Sequence, residues 1–157
     1  MTPRWVPLHL RPYGGWAFVA SGFAYMLVGG ALATAMGLRW LAAPLWIPAH
    51  THMFLVGWMT FLIYGLGYLM LPLGLTGRYP LSERAAWAQF WLAHAATWGV
   101  AAGTLLARME HPLAHPVILA GGVAQLLAAS IFAINIVGPA FRAAPPTAPR
   151  FDIRPTT

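Results

Sequence analysis

Among the residues of this chain, the histidines have both the side-chain chemistry and the positions to bind a metal. His50 and His52 stand two residues apart at the start of a long apolar segment. A neutral imidazole is the commonest metal ligand among side chains. A polar side chain inside a membrane is costly unless it faces protein or a cofactor. The pair therefore predicts a metal or haem ligand near one end of that segment.

Helical geometry separates the two side chains of this pair. Residues two apart on a helix point about 200° apart, so both face one pocket only if the first turn is irregular. The face of the first histidine continues through Gly57, Tyr64 and Tyr68. A glycine gap beside two tyrosines suits a flat macrocycle and looks like the inward face. On geometry we favour His50 as the axial ligand, and His52 remains the alternative.

Two further histidines are expected at the same level. His111 and His115 follow the end of the third apolar segment. That end is expected on the side of the membrane on which the second segment begins. They join His50 and His52 as candidate metal ligands. The alternative is that these outer histidines lie in the headgroup region beside nearby tryptophans.

His94 is set apart by its depth near the middle of the third segment. At 1.5 Å per residue, its depth differs from that of His52 by about 15 Å. The two cannot be axial ligands of one haem within one chain. We expect His94 to be a core histidine bonded to the backbone, Thr97 or Gln89, with a ligand or proton-carrying role as the alternative.

Composition indicates which solvent surrounds the chain. Of its 157 residues, 59% are hydrophobic and only 8% are charged, whereas a soluble domain carries about 25% charged residues. A chain so poor in charge predicts lipid as its main solvent. The net charge of +6 does not indicate nucleic acid, because the arginines fall in loops and termini. The absence of cysteine excludes disulfides and thiolate metal sites.

Four apolar segments are each near the ~20 residues that cross ~30 Å of hydrocarbon. They run over residues 13–37, 48–71, 84–107 and 115–141. Pro48 and Pro116 are expected at or near first turns, where proline is tolerated. The predicted fold is an all-α integral membrane protein, a four-transmembrane-helix bundle over residues 1–142. A Pro-rich cytoplasmic tail over residues 143–157 is expected to follow.

Arginine counting predicts the orientation, because cytoplasmic loops carry the excess of basic residues. On the side of the N-terminus are Arg4, Arg11, Arg78, Arg84, Arg142, Arg150 and Arg154. The other side carries only Arg39 and Arg108. Both termini are therefore expected in the cytoplasm, in the inner (plasma) membrane of a prokaryote, with the paired histidines near the outer face.

Small and amide residues predict where helices meet. Gly99 and Gly103 form a GxxxG pair in the third segment, a spacing that lets helices approach closely. Gln125 and Asn135 in the fourth segment are predicted to form hydrogen bonds between helices. Further contact candidates are Gly29, Gly30, Gly121 and Gly122.

The second segment resembles a helix of a known family. Residues 49–58 (AHTHMFLVGW) and 63–68 (IYGLGY), closed by Pro72, are similar to the second helix of haem–copper oxidase subunit I and of nitric oxide reductase large subunits. They are closer still to the His-x-His helix of NnrS-like membrane haem proteins. A weaker likeness to short, single-unit oxidase subunit I-like proteins extends over residues 90–94 (FWLAH) and 131–135 (IFAIN).

The resemblance, which covers roughly residues 45–140, implies a haem b bound at His50 or, as the alternative, His52. The oxidases repeat such a four-helix unit, whereas this chain supplies one unit and lacks the histidine pair that binds their copper. The implied role is electron transfer, or gas (NO or O₂) or haem handling, rather than oxygen reduction. An enzymatic role, if there is one, would be that of a haem-dependent oxidoreductase. Copper is a further candidate cofactor.

A second axial ligand is missing from the helix that supplies the first. It must come from His111, from His115 or from another chain, or else be absent. We therefore expect a homo-oligomer, a trimer or a dimer, with haem near the subunit interface and with no nucleic-acid partner. The rival functions are a non-haem scaffold or assembly subunit, and a copper or zinc carrier that uses the outer histidines. A quinone-reactive enzyme, with a quinone or another redox partner, is a third.

Overall fold

A computed structural model describes residues 14–71 and 82–141 of the chain. Over these residues the structure is helical and contains no strand. Its helices are α1 (Gly15–Gly37), α2 (Ala43–His52), a π-helical segment (Met53–Thr60), α3 (Phe61–Leu71), α4 (Glu83–Arg108), α5 (Ala114–Val137) and a 3₁₀ turn (Gly138–Phe141). The predicted tail over residues 143–157 and most of the counted arginines lie outside the described residues.

Within residues 14–71 and 82–141, four helices are long and apolar enough to cross a membrane. They are Gly15–Gly37, Ala43–Met70, Glu83–Arg108 and Ala114–Val137. The second of these, called the second span below, joins α2, the π-helical segment and α3 into one continuous helix. The predicted all-α architecture with four membrane-length helices is confirmed within the described residues.

The second span begins at Ala43, five residues before the predicted start at Pro48. Pro44 occupies the first turn, where its missing N–H costs little, and Pro48 lies inside the helix. An internal proline is tolerated in a membrane-length helix because neighbouring groups satisfy the freed carbonyl. His50 therefore lies beyond the first turn, about 10 Å along the helix from its start at 1.5 Å per residue.

Glycines bring α1 against the antiparallel second span. Gly15, Gly22 and Gly29 recur every seven residues on the buried side of α1. A Cβ atom built at each would lie 2.8, 3.1 and 2.5 Å from side chains of the second span, those of Leu69, Leu62 and Phe54, respectively. Only glycine permits so close an approach. Of the three, only Gly29 was a predicted contact.

The predicted GxxxG pair packs α4 against α5 of the same chain. A Cβ atom at Gly99 would lie 3.6 Å from the Cα of Gly121, and one at Gly103 would lie 2.7 Å from Ile118. The GxxxG pair therefore serves a contact between two helices of one chain. By contrast, a Cβ atom at Gly30 or Gly122 would meet nothing within 4 Å among the described residues.

A buried polar network ties α3, α4 and α5 together. The hydroxyl of Tyr68 donates to Oε1 of Gln89 at 2.5 Å. Asn135 donates to that hydroxyl at 3.2 Å and to the carbonyl of Ser82 at 2.9 Å, and accepts from the Ser82 N–H at 2.8 Å. Asn135 is thus confirmed as an interhelical partner. The buried Oε1 of Gln125 has no partner in the described part of the chain.

The helices alternate in direction, as these contacts require. Gly15 faces the end of the second span, and Ser82 at the start of α4 meets Asn135 near the end of α5. The end of α1, the start of the second span, the end of α4 and the start of α5 therefore share one end of the bundle. That end, which carries His50, His52, His111 and His115, is called the histidine end below.

Candidate functional site

The four candidate ligands share the histidine end but are not gathered into one cluster. His50 and His52 belong to α2, His111 lies in the α4–α5 connection, and His115 is the second residue of α5. Over residues 14–71 and 82–141, no three His, Asp or Glu side chains come close enough to hold a metal ion. His111 instead accepts a hydrogen bond at Nδ1 from the Leu113 N–H, at 3.2 Å.

His50 is held by α1. Its Nδ1 lies 2.9 Å from the backbone oxygen of Gly29. Because a carbonyl only accepts, Nδ1 carries the proton of the neutral ring and Nε2 keeps its lone pair. Nε2 has no hydrogen bond to any described residue. A ring anchored through one nitrogen on a carbonyl, with the other nitrogen unbonded, has the form of a metal-binding histidine.

His52 is anchored in the same way, but on its own helix. Its Nδ1 donates to the carbonyl of Pro48 at 2.8 Å. The face that continues from it is exposed, with fractional exposures of 45% at Met59 and 57% at Ile63. The face that continues from His50 is buried. The first histidine of the pair is therefore the one on the inward face.

A π-helical segment begins directly after the histidine pair. It covers the eight residues Met53–Thr60. Its wider turn keeps Ala49, Met53, Gly57 and Phe61, which recur every four residues, on the buried side of the span. Segments of this kind are rare and are frequent at functional sites. Nothing in the sequence predicted it, since its residues are ordinary helix formers of a membrane span.

The glycine gap at Gly57 is filled within the chain. A Cβ atom there would lie 2.6 Å from Cγ of Tyr25, a residue of α1. Tyr64 and Tyr68, the other residues predicted to line a macrocycle, are each 4% exposed and belong to the core. Along this face the chain packs against itself, so the residues fit an axial ligand at His50 but leave no slot for a flat macrocycle beside Gly57.

His94 bridges α4 and α1. Its Nδ1 lies 2.7 Å from the hydroxyl oxygen of Tyr25, and its Nε2 lies 3.2 Å from Oγ of Ser21. These partners differ from the predicted Thr97 and Gln89. Sequence reasoning missed Tyr25 and Ser21 because nothing local links residues more than 60 positions apart along the chain.

The aromatic rings around His94 show how deep in the bundle it lies. Its ring centroid is 4.6 Å from that of Phe61 and 4.5 Å from that of Phe90. His52 precedes the eight-residue π-helical segment, and Phe61 follows its far end. His94 is therefore well separated in depth from the histidine pair, as predicted.

Comparison with known protein families, with curated proteins and with solved structures finds no significant match to this chain. The resemblance to oxidase subunit I therefore rests on the residues of the second span and the weaker likeness in the two helices that follow.

Proposed function

We propose that this chain is a membrane-bound b-type haem protein in which His50 supplies an axial ligand, serving electron transfer or gas or haem handling. The observation that supports this proposal is the orientation of the His50 ring. Its Nδ1 donates to the carbonyl of Gly29, which leaves Nε2 as the coordinating atom. When bound, haem b would supply reversible one-electron chemistry or a binding site for a small gas.

The residues around His50 would position and shield the ligand. The carbonyl of Gly29 fixes the tautomer and increases the basicity of the ring. Phe54 packs on the imidazole with ring centroids 5.4 Å apart, and Trp58 packs edge-on against Phe54 at 4.8 Å. These rings would exclude water from one side of the ligand.

The decisive measurement is the absorbance spectrum and metal content of the purified protein. A Soret band with stoichiometric iron is the expected result. A colourless protein that contains copper or zinc would replace the proposal with the carrier function. A protein with neither pigment nor metal would favour the scaffold or assembly subunit.

We also propose that the site is completed by self-association. Tyr25 fills the gap at Gly57 within one chain, so a macrocycle on His50 would lie at the surface of the bundle, against a second copy. That copy, in a dimer or a trimer, would supply the second ligand. The span of α5 offers a large surface for the contact, because only 11% of its apolar window is buried within the chain.

Native mass spectrometry in mild detergent tests this assembly. We expect a haem-containing oligomer that loses haem as it dissociates, because each haem would be held by two chains. A haem-loaded monomer as the dominant species would contradict the proposal. The haem assignment itself would survive that outcome, with a ligand set drawn from a single chain.

The proposed location is the inner membrane of a prokaryote, with both termini in the cytoplasm and the histidine end outside. The chain has no cysteine, so single substitutions give unambiguous labelling. Cysteine at Arg39 or His111 should react with a membrane-impermeant thiol reagent added to intact cells. Cysteine at Gly77 or Thr147 should react only after the membrane is opened. The reverse pattern would overturn the orientation.

A further inference from the structure

A cleft between α1 and α4 runs from the middle of the bundle toward the histidine end. Its inner part is a cavity of about 160 Å³ whose lining includes Ser21, Tyr25 and His94. Its outer part is a cavity of about 330 Å³. Val28 and Trp98 line both parts, so the two adjoin. The outer part is also lined by Leu32 of α1, by Trp46, Ala49 and Met53 of the second span, and by Ala101, Ala102 and Leu105 of α4.

The cleft is amphipathic along its length. The three polar side chains are confined to the inner part, and the outer part is lined by aliphatic, methionine and tryptophan side chains. From His94 to Leu105 the cleft extends about 16 Å along α4 at 1.5 Å per residue. Val28 and Trp98 are 38% and 52% exposed. The cleft therefore opens sideways, where the apolar surface of the bundle would face lipid.

The three polar side chains form a hydrogen-bonded row that has one more polar hydrogen than it has hydrogen bonds. With His94 in its neutral form, Tyr25, His94 and Ser21 carry three polar hydrogens and share two hydrogen bonds. If Tyr25 donates to Nδ1, then Nε2 donates to Ser21, and the Ser21 hydroxyl proton is left over. In the other tautomer both bonds reverse, and the Tyr25 hydroxyl proton is left over.

One end of the row therefore always offers a donor, and lone pairs remain on the hydroxyl oxygens. A carbonyl oxygen in the inner cavity would accept from the donor, and a hydroxyl would donate to a lone pair. The row therefore suits a neutral head group that can carry either carbonyl or hydroxyl groups. A phospholipid acyl chain could fill the outer cavity but has no group that would use the row.

We propose that this cleft binds a lipid-soluble quinone or its quinol. The head ring lies at Ser21, His94 and Tyr25 beside the indole of Trp98, and the apolar tail extends through the outer cavity. The site is separate from His50 and does not depend on haem being bound there. The head ring would lie deeper in the bundle than His50, whereas the tail would extend to the depth of Ala49, the neighbour of His50 in the sequence.

A direct binding titration tests the site. The full-length protein is purified in detergent, depleted of bound lipid-soluble molecules and titrated calorimetrically with a ubiquinone that carries one isoprene unit. The wild type should bind it. The double variant Ser21→Ala, Tyr25→Phe removes both hydroxyls while keeping the aromatic ring. Its affinity should fall about tenfold or more, because each lost hydrogen bond weakens binding several-fold.

Matched controls separate binding from folding. Tyr64→Phe removes the hydroxyl of another buried tyrosine, which lies outside the cleft, and should leave the affinity unchanged. Ala102→Phe should obstruct the outer cavity and weaken binding as much as the double variant does. Ala129→Phe, at an exposed position of α5, should have no effect.

Three results would overturn the proposal. The first is absence of binding to the wild type. The second is an affinity unchanged in both cleft variants. The third is recovery from the cleft of a phospholipid that the quinone does not displace. Circular dichroism and the elution volume of every variant confirm that the compared proteins are folded.

Discussion

Replacing His50 by alanine is expected to yield protein that is inserted in the membrane and has no bound haem. The methyl group cannot coordinate iron, and among the described residues no other histidine lies on the inward face of the second span. The helices should persist, because the ring of His50 is only partly buried and is not a member of the buried hydrophobic core. The Soret absorbance per protein should fall to the level of an unrelated membrane protein.

Two variants and one rescue sharpen this test. His52→Ala should lower the Soret absorbance less, since the ring of His52 is anchored on its own helix and the face that continues from it is exposed. His115→Ala tests the exposed outer histidine. Added imidazole should partly restore the absorbance of the His50 variant, which a merely structural role would not allow. A normal Soret band in His50→Ala would show that the ligand assignment is wrong.

Gly121→Ala is expected to destabilise the bundle strongly, although it adds a single methyl group. The new Cβ atom would lie 2.7 Å from a side-chain carbon of Val100, 2.9 Å from its backbone nitrogen and 3.2 Å from the carbonyl oxygen of Ala96. Two of these are backbone atoms of α4, so relief requires α4 and α5 to move apart. Overpacking of this kind costs about 1–3 kcal/mol.

The adjacent glycine provides the control. A Cβ atom at Gly122 would meet nothing within 4 Å among the described residues. Gly122→Ala should therefore leave the free energy of unfolding unchanged or increase it by up to about 1 kcal/mol, since alanine favours the helix. Thermal unfolding in detergent, followed by circular dichroism, compares the two. Equal stabilities would contradict the close packing of α4 on α5.

The sequence alone determined the all-helical class, the four helices of membrane-crossing length among the described residues, and the helix face to which each histidine of the pair belongs. These properties depend on composition and on the helical repeat, which are local. The inward direction of Gly57, Tyr64 and Tyr68 followed from that repeat, and their burial agrees with it. The depth separation of His94 from the histidine pair followed from the rise per residue.

Only the tertiary structure decided what each inward side chain meets. Tyr25 fills the gap at Gly57, and it also bonds to His94, so a residue that the sequence did not single out closes one predicted pocket and lines another. The tertiary structure likewise decided the partner of the GxxxG pair, because it places α5 of the same chain against it. Periodicity shows that a face is turned inward, but the partner on that face depends on how closely other helices approach. In this bundle the approach of α1 is set by Gly15, Gly22 and Gly29, whose effect exists only once the two helices are side by side.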